Sequence, residues 1–143
     1  MCFSWHELFN NNIIVGVITG LITGLFTGMY SSFVVTRYYI FLSLKNEVLR
    51  TIQRINYQSA DSRLVLSNSL DIGNLLYMSS DFCRLGHNSA QSVTDNLFKE
   101  ISRVNIQAGA GQITIDEYAK HFLDWQQSAR NIAPSKRQIF FFF

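Results

Sequence analysis

The sequence predicts an all-α membrane protein: one N-terminal transmembrane helix continuing into a cytoplasmic stalk, then a small helical bundle. Three observations predict it. Residues 13–35 form 23 consecutive residues without a charge. All twelve Lys and Arg come after that run. Beyond it, apolar residues recur at steps of three and four, punctuated by glycine and closed by the only proline.

A spanning helix needs about 20 apolar residues at roughly 1.5 Å each, and residues 13–35 suffice with some tilt. Residues 1–12 then form a short extracytoplasmic N-terminus carrying only Glu7 as a formal charge. Arg37, Lys45, Arg50 and Arg54 follow the span, opposed by the single acid Glu47. Lys and Arg in that zone set orientation, which predicts the N-terminus outside and the C-terminal part in the cytoplasm, across an inner (plasma) membrane. A cleaved signal peptide fits poorly. No basic region precedes the run, the run exceeds a 7–15-residue signal core, and no small-residue cleavage site follows it. Cys2 and Cys83 fall on opposite sides of the membrane in this topology, so Cys83 is expected as a reduced thiol.

Within the span, glycine recurs every fourth residue: Gly16, Gly20, Gly24 and Gly28. Thr19, Thr23, Thr27 and Ser31 fall in register with them, and offsets of three and four place all eight on one helical face. Bulky residues such as Leu21, Leu25, Phe26 and Met29 take the remaining surface. The helix is two-faced by size rather than polarity. Lipid has no need of a groove, whereas another helix does, because glycine lets backbones approach. The pattern resembles glycine-zipper segments of some membrane oligomers and channels over residues 16–28. That resemblance implies a packing mode rather than a family. With one span in the chain, a second copy is the simplest partner, so a homo-oligomer is expected.

After Arg37 the helical pattern continues through Ile40, Phe41, Leu44, Val48, Ile52 and Ile55, with no glycine between Gly28 and Gly73. The transmembrane helix is therefore expected to run on through a stalk over residues 36–58, as one helix to about Tyr57. Tyr38 and Tyr39, with Arg37, are placed as membrane-interface anchors, and Tyr30 and Phe41 bracket the same level. The bundle is assigned to residues 59–133. Its first helix is expected to be capped at Ser59–Asp61, to carry Leu64, Leu70, Leu75, Met78, Phe82 and Leu85, to be interrupted at Gly73, and to end at Gly86 and Asn88. A next helix is expected over residues 92–108 with Val93, Leu97, Ile101 and Val104 on one face, stopped by Gly109-Ala110-Gly111. Thr114 and Glu117 form a capping box for the last. There Ile115, Tyr118, Phe122, Trp125, Ala129 and Ile132 give the cleanest amphipathic pattern of the chain. Residues 134–143 are separate: Lys136 and Arg137, then Ile139 and four phenylalanines. Such a basic-aromatic tail suits the inner leaflet or a partner surface slightly better than the bundle.

No constellation carries chemistry. Cys83 and His87 stand at i, i+4, but zinc needs three or four ligands and no second Cys/His pair exists. Asp116, Glu117, Lys120, His121 and Asp124 crowd one helix without a nucleophile, as a solvated face does. No phosphate loop, dinucleotide fingerprint or HExxH occurs. Mixed-sign charge speaks against a nucleic-acid partner. No catalytic residue, metal or cofactor is expected, and an enzyme is the least supported reading. The sequence thus leads to a single-pass membrane protein that self-associates through its glycine/threonine face and carries a cytoplasmic interaction domain. A pore-forming or membrane-permeabilising effector (a toxin, holin-like or defence protein) and an accessory subunit of a larger membrane complex are the alternatives.

Overall fold

The structure, a computed structural model, describes residues 5–55, 57–60, 63–66 and 70–140. The fold is all-α, with a long apolar N-terminal helix followed by a small helical bundle. The chain divides into two compact units, Met1–Arg37 and Tyr38–Phe143.

The first unit consists, where described, of the N-terminal part of α1 (Trp5–Gln53). Nothing in its sequence breaks a helix: proline is absent, and four glycines weaken but do not end it. Every residue from 12 to 32 is exposed.

The second unit begins within α1, and the expected stalk is part of its core. Phe41, Val48 and Ile52 are all buried there. The helix ends at Gln53, four residues before the expected Tyr57, in a tightening turn: Arg54 N–H donates to Arg50 O and Ile55 N–H to Ile52 O. A two-stranded hairpin then occupies residues read from sequence as the start of a helix. Strands β1 (Tyr57–Ala60) and β2 (Arg63–Leu66) pair antiparallel, with Tyr57 opposite Leu66 and Ala60 opposite Arg63. The expected cap at Asp61 lies outside the described residues. Residues 57–63 present no i, i+4 apolar pair that would hold a helix on a core. β2 lies against α3.

Helix α2 (Leu70–Arg84) runs through Gly73 without the expected interruption. It buries Ile72, Leu75, Met78 and Phe82. It stops in a Schellman motif, in which Gly86 adopts φ +77°. Gly86 N–H donates to Cys83 O at 2.8 Å, and His87 N–H to Phe82 O at 2.8 Å. Helix α3 (Asn88–Gly109) starts four residues before the expected 92, burying Ala90, Leu97, Ile101 and Val104. It closes with the same motif at Gly111, φ +69°, where Gly111 N–H donates to Ala108 O and Gln112 N–H to Gln107 O. Helix α4 (Ile115–Arg130) opens with the expected capping box. Glu117 N–H donates to Thr114 Oγ1, and Thr114 N–H donates to Glu117 Oε2. A short α5 (Lys136–Phe140) follows Pro134.

One contiguous core joins α1, α2, α3 and α4 around Phe41, Phe82, Ile101 and Trp125. Each such side chain removed from water contributes about 1.5–3 kcal/mol before entropy is charged against it. Ile115, expected on the apolar face of α4, sits at that helix's first turn and is exposed.

Candidate helix-packing face

The face singled out from sequence lies wholly in the first unit. Gly16, Thr19, Gly20, Thr23, Gly24, Thr27, Gly28 and Ser31 are all exposed. At about 100° per residue they spread over roughly half the helix circumference, with the glycine row drifting about 40° per step. A Cβ added at Gly16, Gly20, Gly24 or Gly28 would meet nothing within 4 Å. The glycines are thus not required by any contact among the described residues. The bulky residues of the opposite face, Leu21, Leu25, Phe26 and Met29, are exposed as well. Helix α1 is long and apolar enough to cross a membrane, and none of its most apolar stretch is buried within the protein.

Two hydroxyls on this face, and Thr36 beyond it, turn inward along their own helix. Thr19 Oγ1 donates to Val15 O at 2.7 Å, Thr23 Oγ1 to Thr19 O, and Thr36 Oγ1 to Ser32 O at 2.8 Å. Each bond satisfies the polar hydrogen within the helix, which removes most of the penalty for taking a hydroxyl out of water. Chemically the face can approach another surface closely, with the Thr19 and Thr23 donors already satisfied.

Further along α1, Tyr38 and Tyr39 are exposed. Arg37 lays its guanidinium 4.1 Å from the centre of the Phe33 ring, one turn back, a cation–π contact. Phe41, read from sequence both as bracketing the membrane-interface level and as part of the apolar face, follows the second reading. It is buried in the second unit, 5.5 Å from the Phe82 ring and 4.8 Å from His87, because the apolar face of α1 turns into the bundle at that turn.

The tail departs from the sequence reading. Ile139 is buried and Ser135 N–H donates to His87 Nδ1 at 3.2 Å, so residues 135–139 dock on the bundle; residues 141–143 lie outside the described residues. His87 is therefore a buried acceptor, while Cys83 one turn earlier is exposed. Lys45 supplies another contact that sequence reading missed. Its Nζ donates to the carbonyls of Arg130 (2.6 Å) and Ile132 (2.9 Å), tying α1 to the end of α4. Ser79 Oγ donates to Asp95 between α2 and α3. His121 stands 3.7 Å from Glu100 between α4 and α3. Partners 16 to 87 positions apart leave no periodic signal in a sequence.

Comparison with protein-family models, with curated proteins and with solved structures finds no match.

Proposed function

We propose that this chain is a single-pass membrane protein that self-associates through the glycine/threonine face of α1, with the second unit as a cytoplasmic interaction domain. The observation that carries the reading is the exposure of residues 12–32 together with their sorting by size around the helix. A soluble protein burying nothing of such a run would expose far more contiguous apolar surface than monomers tolerate. A bilayer removes that objection, and a second helix makes use of the glycines. Orientation follows from the twelve Lys and Arg, all beyond residue 35: N-terminus outside, bundle in the cytoplasm of an inner (plasma) membrane.

Dry packing is favoured over a pore. The Thr19 and Thr23 hydroxyls already donate to their own backbone, and no ring of charge occurs in the span to select ions. The deciding experiment is the oligomeric mass of the wild type and of Gly20→Leu/Gly24→Leu in nanodiscs. A defined oligomer that the leucines dissolve supports assembly through this face. A wild-type monomer sinks it and favours an accessory subunit of a larger complex. Leak of a vesicle-entrapped dye by the wild type, absent in the double variant, would instead favour the permeabilising effector.

A further inference from the structure

Several contacts bring one end of each bundle helix to the same place. Phe41, close to where the chain enters the second unit, stands 5.5 Å from Phe82 and 4.8 Å from His87. Lys45, one turn further along α1, holds the carbonyls of Arg130 and Ile132. Ser135 N–H donates to His87 Nδ1, and the Gln138 side chain lies over Gly86. The close of α2, the start of α3, the close of α4 and all of α5 are therefore gathered at the end of the second unit where the chain enters it.

That end is basic. Arg84 at the close of α2, Arg130 at the close of α4, and Lys136 and Arg137 on α5 are all exposed. None of the four is in an ion pair among the described residues, whereas Glu47, two residues past Lys45, is joined to Arg50. Arg130 reaches the neutral Gln126 on its own helix. The nearest acid along the chain, Asp81, is half-buried one turn before Arg84. The exposed acids of α4, Asp116, Glu117 and Asp124, stand about 9–21 Å back from Arg130 along the helix axis. Tyr38 and Tyr39, exposed just before Phe41, stand at the basic end. Cations clear of carboxylates, beside amphipathic rings, match a surface of anionic headgroups.

We propose that the end of the second unit carrying Arg84, Arg130, Lys136 and Arg137 docks on the anionic headgroups of the leaflet that α1 crosses. The proposal rests on the membrane reading of α1. The chain passes from the span into this end within a few residues, so headgroups are the charged surface it meets first. The tether raises their effective concentration there, an advantage that a soluble polyanion lacks.

The test uses the full chain, as a Cys2→Ser variant, in nanodiscs of phosphatidylcholine alone or mixed with phosphatidylglycerol. Both discs carry a trace of lipid with a nitroxide on its headgroup. A bimane on Cys83, exposed beside Arg84, reads by its quenching how closely this end approaches the headgroups. Quenching is expected to rise about threefold with phosphatidylglycerol. It should return to the phosphatidylcholine value in about 1 M salt, where charges are screened within about 3 Å. Arg130→Gln/Lys136→Gln/Arg137→Gln should abolish the rise. Lys99→Gln/Arg103→Gln, exposed on α3 about 17–23 Å from its start, should keep it. Equal quenching in the two lipids overturns the docking, as does a rise lost equally in the Lys99 and Arg103 variant. A rise that salt leaves in place also overturns it, and that measurement needs no charge substitution. Failure of the chain to enter nanodiscs overturns the membrane reading and the docking with it. Entry with lipid-independent quenching overturns the docking alone.

Discussion

Two glycines and one capping threonine carry much of the local definition of the bundle. Gly86 and Gly111 both sit at positive φ, but their surroundings differ. A Cβ at Gly86 would meet Gln138, whereas at Gly111 it would meet nothing within 4 Å. Gly111→Ala should therefore cost only the left-handed backbone strain, about 1–2 kcal/mol in urea unfolding. Gly86→Ala should cost that and also displace Gln138, seen as faster exchange of the Gln138 amide. At the start of α4 the Glu117 carboxyl is held below the usual glutamate range. The main cause is the Thr114 N–H donated to it, then the Thr114 hydroxyl. A lowered folded-state value contributes stability above the unfolded-state value that is lost as pH falls through the lowered one. Glu117→Gln should accordingly lower stability at neutral pH, leave it little changed below the lowered value, and so flatten the acid limb of the stability–pH profile. This box was legible in sequence because Thr114 and Glu117 sit three residues apart. The His87–Ser135 bond was not, because its partners meet only after the chain has turned twice.

At the scale of elements, α1 has two parts with differently sorted side chains. From Asn12 to Ser32 its side chains are exposed and sorted by size; from Phe41 onward they are sorted by polarity, with Phe41, Val48 and Ile52 inward. Phe41→Ala should destabilise the bundle by about 3–5 kcal/mol, since it opens a cavity between Phe82 and His87. Chemical unfolding followed by Trp125 fluorescence would measure it. Helix α2 offers the opposite case. Gly73 lies inside it with open space at its Cβ, so Gly73→Ala should stabilise by about 0.5–1 kcal/mol. A loss instead would mean that a partner approaches the backbone there. The helices were read correctly wherever three- and four-residue spacing was sustained, as in α3 and α4. The hairpin was missed because Leu64, Val65 and Leu66 stand adjacent, a short run that suits either element until α3 covers one side of the strand.

For the molecule as a whole, the membrane reading makes a prediction about sidedness. Cys83 is exposed on α2. In a Cys2→Ser variant, a membrane-impermeant maleimide should label Cys83 in inverted vesicles and fail to do so in intact cells. Labelling of intact cells would reverse the orientation argued from the Lys and Arg distribution.

What the sequence determined by itself is what depends on near neighbours and on composition along the chain. The long uncharged run, the glycine register within it, the caps at Thr114 and Gly86, and the amphipathic faces of α3 and α4 are all fixed by residues a few positions apart. Their physics is local: a helix repeats every 3.6 residues, and a cap acts within one turn. The tertiary structure alone decided where α1 passes from exposed to core, that residues 57–60 and 63–66 pair as strands, that Lys45 closes the end of α4, and that Ile139 folds back onto the bundle. Each of these depends on which distant surfaces are brought together to exclude water, and that choice is settled only when the whole second unit packs.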